Sequence, residues 1–267
     1  MKIISVWKNP GKRLLAENRR IVWLVLVLAL VLCAAPLLTA GRAALASAKK
    51  RELPIYCVEK DSKVLSLTFD AAWGNEDTEE LISILGRYGV RATFFVVGEW
   101  VDKYPESVKA LADAGHEVMN HSDDHPHFPK LSAEQMTENL NRCNDKIEKV
   151  TGVRPTLFRP PYGDYNDSVI QTVRGIGMQA IQWDCDSLDW KEYGADAICK
   201  RVLERAKPGS IVLFHNAAKY TPQALPTVIE GLMQKGYSFV PVSELLLTEA
   251  YEIDHSGMQV RAKTSEG

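Results

Sequence analysis

Apolar runs of strand character alternate with segments of helical period from about Val64 to about Leu247. This alternation predicts an α/β domain with parallel strands. Seven runs have strand character: 64–69, 92–97, 117–120, 156–158, 179–183, 211–214 and 238–242. Seven strands in one continuous series predict a barrel.

Helical stripes fill the segments between these runs. The apolar residues of 81–88 share one face before Gly89, and those of 101–112 share another before Gly115, so each glycine indicates a helix end. Ser132 and Gln135 have the spacing of a capping box, which predicts a helix running to Gly152. Helices also fit the segments 167–176, 195–206 and 222–235.

The first part of the chain has a different pattern. Residues 21–41 contain no charged side chain, and this length is enough to cross a hydrocarbon core of about 30 Å as a helix. Residues 1–20 carry six basic and one acidic side chain, a heavier basic flank than the one that follows residue 41. The positive-inside bias therefore predicts a cytoplasmic segment 1–20, a transmembrane signal-anchor helix 21–41 and an extracellular remainder.

A cleaved signal peptide is the alternative for this segment, because Ala44, Leu45 and Ala46 before Ser47 resemble a small-residue cleavage site. The protein would then be secreted after cleavage near Ala46. We favour the uncleaved anchor, since the apolar run is longer than the about 7 to 15 residues usual for a signal peptide. The expected location is the cell membrane, with a single span and the folded domain outside.

The remaining boundaries follow from polarity. A polar, basic linker is expected at 42–63, the folded domain at 64–247 and a weakly ordered polar tail at 248–267. The composition, with 46% hydrophobic and 25% charged residues, is typical of a globular domain. Residues 42–267 hold 26 basic and 33 acidic side chains, and this mildly acidic balance argues against nucleic acid as a partner. The five cysteines show no CxxC spacing, so they indicate no zinc ribbon or redox pair, and a disulfide stays open.

Ionisable residues collect just after the predicted strands. The six residues at these strand ends are Asp70, His121, Arg159, Asp184, Asp186 and His215. Because α/β barrels build their active sites at the carboxyl ends of the strands, we expect a functional rim there. His121 and His125 are four residues apart, a spacing that lets one helical turn aim both imidazoles at a single cation. Pro126 opposes a longer helix, and His116 and His127 are expected to be structural or solvent-facing.

Other rim residues suit acid–base chemistry, although each alone also fits a turn, cap or core position. Asp70 could accept a proton from a metal-held water, and His215 is a candidate general acid because imidazole titrates near neutral pH. Arg159 would orient a carboxylate and keep it ionised, and the two prolines after it stiffen the loop that presents Tyr162. The segment 186–190 supplies a carboxylate that could hold an imidazolium and an indole that could stack on a sugar.

Five segments in this order resemble the polysaccharide deacetylase family, carbohydrate esterase family 4, which is built on the chitooligosaccharide-deacetylase or NodB homology domain. They are Thr68-Phe69-Asp70, His121-Ser122-Asp123-Asp124-His125-Pro126, Arg159-Pro160-Pro161-Tyr162-Gly163, Asp186-Ser187-Leu188-Asp189-Trp190 and Leu213-Phe214-His215. The resemblance covers about residues 64–247. It implies a distorted (β/α) barrel that removes acetyl groups from N-acetylated cell-wall sugars with a divalent metal, zinc first, with cobalt and manganese as alternatives.

The resemblance also implies a role for each residue of these segments. Asp70 would be the general base and Arg159 would orient it. His215 would be the general acid, tuned by Asp189. The implied metal ligands are His121 and His125, and the residues that would shape the acetyl pocket are Tyr162, Trp190 and Leu213.

One position departs from the family pattern. The first motif of the family usually reads Thr-Phe-Asp-Asp-Gly, and its second Asp completes the metal triad, whereas Ala71 stands at that place here. Alanine cannot ligate a metal, and two histidines with waters bind zinc more weakly than three protein ligands. The resemblance is therefore closest to the subgroup similar to sporulation deacetylases, whose first motif also lacks this carboxylate. The substitute ligands that could restore affinity are Asp70 itself, or Asp77, Asp123 or Asp124 from a loop.

The leading expectation is metal-assisted hydrolysis of an N-acetyl group on peptidoglycan or a chitin-like polymer outside the membrane. A backbone N–H near Tyr162 would help to hold the oxyanion, and Trp73 and Trp190 could stack on sugar rings. The expected partners are the glycan and, through the N-terminal helix, the membrane. A glycan-binding pseudoenzyme of the same fold is one alternative, favoured by Ala71. An O-acetyl esterase is another, since it would use the same residues.

Overall fold

The computed structural model divides the chain into a unit of Met1–Arg51 and a unit of Glu52–Gly267, and the residues that it describes are Trp23 and 51–262. The predicted cytoplasmic segment and signal-anchor helix lie outside the described residues, apart from Trp23. Within the part that is described, none of the helices has the length and apolar character needed to cross a membrane. The strands and helices of residues 52–262 belong to the second unit.

A curved sheet of parallel strands forms the centre of this unit. The strands of residues 52–240 are β1 (Cys57–Val58), β2 (Val64–Ala71), β3 (Thr93–Val96), β4 (Glu117–Asn120), β5 (Leu157–Phe158), β6 (Gln179–Ala180), β7 (Cys185–Asp186), β8 (Ile211–His215) and β9 (Ser238–Phe239). The order across the sheet is β6-β5-β4-β3-β2-β8-β7, and β9 pairs in parallel with the start of β2. This sheet carries helices between its strands, as the alternation in the sequence predicts.

The sheet curls into a ring that is not fully closed. Its two edges, β6 and β7, follow each other in the chain and are joined by residues 181–184 alone. Because one residue spans at most about 3.6 Å, the two edges lie within roughly 18 Å of each other. Ile55 lines the β6 edge, where its N–H donates to the Ala180 carbonyl at 2.9 Å and its carbonyl accepts from Gln182 N at 2.7 Å. This geometry agrees with a distorted (β/α) barrel.

The alternation along β2 separates the core from the site. Leu65, Leu67, Phe69 and Ala71 belong to the large apolar cluster that also contains the buried faces of the helices. The intervening side chains are polar and buried: Ser66, Thr68 and Asp70. Since successive residues of a strand point to opposite faces, β2 packs one face against the helices and delivers polar groups with the other.

Eight helices in residues 52–262 surround the sheet. They are α1 (Thr78–Arg87), α2 (Gly98–Lys103), α3 (Pro105–Asp113), α4 (Ala133–Thr151), α5 (Asp167–Gly175), α6 (Ala195–Arg205), α7 (Thr221–Gln234) and α8 (Val242–Leu245). The predicted capping box is confirmed: Gln135 N donates to Ser132 Oγ at 3.3 Å, and Ser132 N donates to Gln135 Oε1 at 2.8 Å. Gly152 ends α4 with a φ of 76°, as its place in the sequence predicts.

Two predicted elements are divided in the structure. The single helix expected at 101–112 is two helices, because Pro105 has no backbone N–H to continue α2 and instead occupies the first turn of α3. The strand expected at 179–183 ends at Ala180. The chain then crosses to the other edge of the sheet and forms β7, which the sequence analysis did not predict.

The segment after residue 248 differs from the expected weakly ordered tail. It forms β10 (Tyr251–Ile253) and β11 (Met258–Arg261), which pair antiparallel around a turn at Asp254 and Gly257. β11 also pairs in parallel with β1, which lies in the predicted linker. The buried Gln259 side chain accepts from Leu247 N and donates to the Leu247 carbonyl. Polar composition suggested disorder, but these paired strands satisfy the backbone groups of both ends of the domain.

The cysteines of the described part are all unpaired and buried: Cys57, Cys143, Cys185 and Cys199. Burial raises the pKa of Cys57 to about 11 and the pKa of Cys185 to about 12. The disulfide that the sequence left open is therefore absent among these four residues.

Gly209 allows β1 to approach the start of β8. Its φ is 77°, and a Cβ atom built there would lie 1.6 Å from the carbonyl oxygen of Val58. The same glycine accepts a hydrogen bond from Val58 N at 2.9 Å and donates one to the Val64 carbonyl at 2.7 Å. A side chain at this position would therefore separate two hydrogen-bonded segments.

We expect Gly209→Ala to lower the free energy of unfolding by ~3 kcal/mol, because it adds a steric clash to the cost of a left-handed backbone. Gly152→Ala is the matched control, since its φ is 76° but a Cβ there meets no atom within 4 Å. The control is expected to lose only about 1 kcal/mol. Urea unfolding followed by circular dichroism measures both, and equal losses would contradict the proposed close approach.

Candidate active site

A cavity of about 370 Å³ opens at the carboxyl ends of the strands, where the sequence predicts a functional rim. Asp70 and His215 reach it from β2 and β8, His121 from the end of β4, and Asp186 from β7. The other lining residues are Trp73, His125, Tyr162, Gly163, Trp183, Trp190 and Leu213. The two remaining predicted site residues, Arg159 and Asp189, are fully buried behind this surface.

Arg159 fixes Asp70 from inside the barrel. Its Nη1 donates to Asp70 Oδ1 and to Thr68 Oγ1, each at 2.8 Å, and its Nη2 donates to the Gln182 carbonyl at 3.2 Å. Its guanidinium also lies 4.2 Å from the centre of the Phe95 ring. Contacts from β2, from β3 and from the segment of Gln182 therefore hold this side chain in place, directly beside the carboxylate that it is expected to orient.

The contact between Arg159 and Asp70 also keeps Asp70 ionised. Burial alone raises the pKa of Asp70, but the charge of Arg159, with a smaller contribution from the proton-holding His215, outweighs burial and holds this pKa below its ordinary value. Asp70 is therefore ionised at neutral pH. Its second oxygen, Oδ2, lies 3.6 Å from His121 Nε2 and faces the cavity side of the pair.

His121 and His125 lie together, but no helical turn aligns them. Residues 121–126 form a loop in which Ser122 and His125 have φ angles of 73° and 55°. The Asn120 side chain accepts from Ser122 N at 2.7 Å, and Ser122 Oγ accepts from His125 N at 2.9 Å. These side-chain contacts replace helical hydrogen bonds and bring the ring centres to 4.9 Å from each other. The expected helical turn is thus wrong, although the two rings converge.

Both imidazoles are in the form that binds metals. His121 Nδ1 lies 2.7 Å from the Arg159 carbonyl, which can only accept, so Nδ1 carries the proton and Nε2 keeps its lone pair. Burial lowers the pKa of His121, and burial is also the main cause that lowers the pKa of His125 to about 4. Both rings are neutral at pH 7 by this balance.

Of the four carboxylates that the sequence offers as substitute metal ligands, only Asp70 lines the cavity. Asp77 accepts from Ala217 N at 2.9 Å, Asp123 pairs with Arg142 at 2.9 Å, and Asp124 accepts from the Asn139 amide at 2.5 Å. None of these three carboxylates lines the cavity, whereas Asp70 does. Among the described residues no group of three or more His, Cys, Asp or Glu side chains is arranged to hold a metal ion. The neutral imidazoles of His121 and His125 are nitrogen donors of the kind that zinc binds, so these two residues fit the implied cation.

His215 is held by Asp189. Its Nδ1 lies 2.8 Å from Asp189 Oδ1, and its backbone N–H donates to Oδ2 at 2.7 Å. Thr221 Oγ1 also donates to Oδ2 at 2.7 Å, and Trp190 N donates to Oδ1 at 2.9 Å. Four hydrogen bonds therefore fix this fully buried carboxylate. Thr221 was missed in the sequence, because nothing in the spacing of α7 indicates which residue of its first turn faces a strand end.

The environment of His215 is opposite to that of the histidine pair. Burial alone lowers the pKa of His215, but the hydrogen bond and charge of Asp189, with smaller contributions from Asp70 and Asp186, raise it above its ordinary value. His215 therefore holds a proton more readily than a free imidazole. This is the state that a general acid requires.

Aromatic side chains form the walls of the cavity. Trp73 is 58% exposed, and its ring centre lies 6.2 Å from that of His125 and 6.3 Å from that of His215. Tyr162 is 62% exposed and lies between His125 and His127, with ring centres 4.5 and 4.4 Å away. Trp190 and Leu213, the other predicted pocket residues, line the same space. Trp183 also lines it and was missed, because it was placed inside a strand.

Asn216 anchors the loop that carries Trp73. Its side chain accepts from Ala72 N at 3.3 Å and donates to the Gly74 carbonyl, and its backbone N–H donates to the Asp70 carbonyl at 3.1 Å. Trp100 Nε1 also donates to the Gly74 carbonyl, at 2.9 Å. The loop that follows Ala71 is thus tied to the residue directly after His215.

Three other predictions have clear outcomes. Asp184 is not on the rim: its carboxylate accepts from Ile211 N at 2.9 Å and from Ser210 Oγ at 3.0 Å, at the start of β8, because the preceding strand ends earlier than expected. His116 is buried and accepts from Ala92 N, a structural position as expected. His127 is exposed and lies 3.1 Å from Asp164, as a solvent-facing residue.

Comparison with known proteins identifies a matching family and relatives of this chain. The family description "Polysaccharide deacetylase" matches residues 58–181. The uncharacterised protein YlxY of Bacillus subtilis is 34% identical over 193 residues, which cover 72% of this chain and 60% of that protein. The peptidoglycan-N-acetylmuramic acid deacetylase PdaC of the same species is 37% identical over 188 residues, which cover 70% of this chain and 40% of PdaC. This chain therefore spans less than two thirds of either relative.

Solved structures of similar proteins also match this chain. A CE4 family pseudoenzyme from Bacillus anthracis matches with a TM-score of 0.70 and 36% identity, over 72% of this chain and 68% of that chain. A mutant of that pseudoenzyme with restored enzymatic activity also matches with a TM-score of 0.70, at 38% identity, over 72% of this chain and 70% of that chain. Similar chains with this fold thus include a named deacetylase and a named pseudoenzyme.

The Asp189→Asn variant tests the acid–base assignment. Removing the charge removes the main cause that raises the pKa of His215, so NMR titration of the imidazole is expected to show this pKa falling below that of the wild type. In the wild type the contribution of His215 to the free energy of unfolding is present below its unfolded pKa of about 6.5 and is lost as pH rises through its raised folded pKa. In Asp189→Asn, the free energy of unfolding should not show this decrease as pH rises through the folded pKa that His215 has in the wild type.

Asp113→Asn, which changes an exposed carboxylate paired with Lys109, is the control and should leave the titration of His215 unchanged. An unaltered pKa of His215 in folded Asp189→Asn protein would refute the role given to Asp189.

Proposed function

The chain belongs to the polysaccharide deacetylase family, and on that basis we propose that it hydrolyses N-acetyl groups on a cell-wall glycan, with peptidoglycan as the substrate class. One observation carries this proposal: a single cavity presents an ionised carboxylate fixed by Arg159 and a proton-holding imidazole fixed by Asp189. Binding a glycan requires no such pair. Hydrolysis of an amide requires both members, one to activate water and one to protonate the departing amine.

Asp70 acts as the general base in this proposal. Its pKa lies below the ordinary value, so it is ionised, and its Oδ2 lies 3.6 Å from His121 Nε2 while Oδ1 is held by Arg159. A water between Oδ2 and the acetyl carbon would lose its proton to this oxygen. The rigid contact with Arg159 keeps the carboxylate in the same orientation before and after the transfer.

His121 and His125 would hold a divalent metal, with Asp70 as the neighbouring carboxylate. Such a cation supplies Lewis-acid polarisation of the acetyl carbonyl when it is bound. The chain contributes the neutral state of both rings, which follows from their burial, and the tautomer of His121, which the Arg159 carbonyl fixes. Zinc is the first expectation for this donor set, and cobalt and manganese are the alternatives.

His215 acts as the general acid. Asp189 binds Nδ1, so Nε2 is the nitrogen available to the cavity, and it donates its proton to the amine as the carbon–nitrogen bond breaks. Tyr162, whose backbone has a φ of 61° at the edge of the cavity, would offer its N–H to the oxyanion. Trp73, Trp190 and Leu213 would enclose the acetyl group and the sugar ring.

The location is part of the proposal. The basic segment 1–20 followed by the uncharged segment 21–41 supports a membrane anchor with this domain outside the cell, where a cell-wall substrate is accessible.

A glycan-binding pseudoenzyme is the second candidate, and two observations favour it. Ala71 is buried in the apolar cluster, so it offers no donor to the cavity. The Bacillus anthracis structure that matches this chain is itself a pseudoenzyme. Under this alternative the cavity keeps the aromatic walls for sugar binding and performs no hydrolysis.

Acetate release from purified peptidoglycan in the presence of zinc, cobalt or manganese tests the first candidate. We expect release by the wild type that is abolished by a chelator, and a loss of at least about 100-fold in His215→Ala, because a general acid contributes about 10²–10⁴-fold. His255→Ala is the matched control, since this exposed histidine lies outside the proposed machinery. Full activity in folded His215→Ala would exclude the acid role, and no release by the wild type with any of the three metals would favour the pseudoenzyme.

Metal binding has its own readout in calorimetry. We expect one zinc ion per chain. We expect His125→Ala to bind zinc at least about tenfold more weakly, because this variant lacks one of the two histidine ligands. His255→Ala, which removes an exposed histidine, is expected to bind zinc as the wild type does. Wild-type protein that binds no zinc would contradict the proposed site.

A further inference from the structure

A second cavity, of about 300 Å³, runs along α6 and is named here the α6 groove. One face of the helix forms its side, with Ala197, Lys200, Arg201, Glu204 and Arg205 at the spacing of neighbouring turns. Ile198 of the same helix also lines the groove, and Ser187, Leu188 and Tyr193, from the loop before the helix, complete it. None of these nine residues belongs to the acid–base machinery.

The position of β7 explains why this face is uncovered. β7 is an edge of the sheet, so no further strand and helix follow on that side. The opposite flank of α6 packs against α7, and its apolar residues Cys199 and Val202 are buried. An incompletely closed barrel therefore leaves one helix with a lateral surface that faces solvent.

The charge of the α6 groove is unbalanced. Lys200, Arg201 and Arg205 contribute three positive charges, and Glu204 contributes one negative charge. Across residues 51–262, no carboxylate lies within salt-bridge distance of Lys200 or Arg205, in contrast to the many paired basic residues elsewhere on the surface. Basic side chains left without partners along a groove attract an anionic ligand.

The α6 groove and the catalytic cavity share a wall. Asp186 lines the catalytic cavity, and its carbonyl oxygen accepts a hydrogen bond of 2.5 Å from Arg201 Nε in the groove. Trp190 lies on the catalytic side of the same loop and Tyr193 on the groove side, and they are 55% and 67% exposed. This loop therefore offers a glycan that extends over Trp190 a second exposed ring, Tyr193, beside the basic face of α6.

We propose that the α6 groove is a subsite for a carboxylate carried by the glycan substrate, on a sugar or on a peptide attached to it. Lys200 and Arg205 bind the carboxylate, and the exposed rings of Trp190 and Tyr193 support the sugars between the two sites. The inference rests on the proposed function for its ligand, a glycan. It adds the substrate class: acidic glycans are bound in preference to neutral ones, and the preference decreases with salt because the charges are exposed.

The test compares two forms of one ligand. A soluble peptidoglycan fragment with free carboxylates and the same fragment after amidation of its carboxylates are titrated into the full chain by calorimetry at low salt. The wild type is expected to bind the free-acid fragment about tenfold more tightly than the amidated one, and to lose this preference in about 1 M salt.

Lys200→Glu combined with Arg205→Glu should abolish the preference and leave the affinity for the amidated fragment unchanged. Arg87→Glu combined with Lys149→Glu is the matched control, because these exposed residues of α1 and α4 receive the same charge change away from the groove. If the double Glu variant has a lower melting temperature, Lys200→Gln combined with Arg205→Gln gives the same test with a smaller change.

A wild type without preference, or a folded double variant that keeps it, overturns the proposal. A phosphate polymer that competes with the free-acid fragment at equal affinity also overturns it, because the groove would then recognise phosphate. Acetate release from a neutral N-acetylglucosamine oligomer is measured in parallel. Acetate release from the free-acid fragment is measured beside it, and the absence of release from both ligands, with the preference intact, would reject the proposed hydrolysis while supporting the acidic subsite.

Discussion

The buried contact between Arg159 and Asp70 is the interaction on which the cavity depends. Arg159 has no exposed surface, and its side chain joins β2 to the crossing segment through Asp70, Thr68 and Gln182. Its backbone carbonyl fixes His121 as well. One residue therefore orients the proposed base with its side chain and a proposed metal ligand with its main chain. Removing one partner of such a buried pair leaves an uncompensated charge, which costs about 3–5 kcal/mol, so the architecture of the barrel and the chemistry of its mouth are inseparable here.

The cavity contains two couples of opposite character. A guanidinium holds Asp70 ionised, and a buried carboxylate holds a proton on His215. Environments that move two titratable groups in opposite directions are how one site obtains a base and an acid at the same pH. The neutral pair, His121 and His125, lies next to both couples, because burial prevents these two rings from becoming charged. One cavity thus holds an ionised carboxylate, a protonated imidazole and a neutral imidazole pair. The buried surroundings of each group determine its charge.

Much of this arrangement could be predicted from the sequence, because short apolar strands followed by single ionisable residues leave a local signal. This signal predicts Asp70, His121 and His215 at the cavity, and it also marks Arg159, which lies buried behind the cavity. The features that escaped prediction depend on contacts between distant segments. The loop of Ser122 and His125 is set by Asn120, the closing partner of Asp189 is Thr221, and the strands near the C-terminus form because β1 lies beside them. Periodicity describes a segment by itself, so it cannot reveal a conformation that a remote partner stabilises.

The buried, unpaired cysteines make the structure of this domain independent of the redox conditions around it. Thiols react as thiolates, and the raised pKa values of Cys57 and Cys185 keep the thiolate population negligible at neutral pH. The apolar surroundings of Cys143 and Cys199 act in the same direction. Folding of this domain therefore requires no oxidant and no isomerase to pair these four sulfurs. The native structure should be equally stable in a reducing cytosol and in an aerobic exterior, so export would change its surroundings without changing its covalent framework.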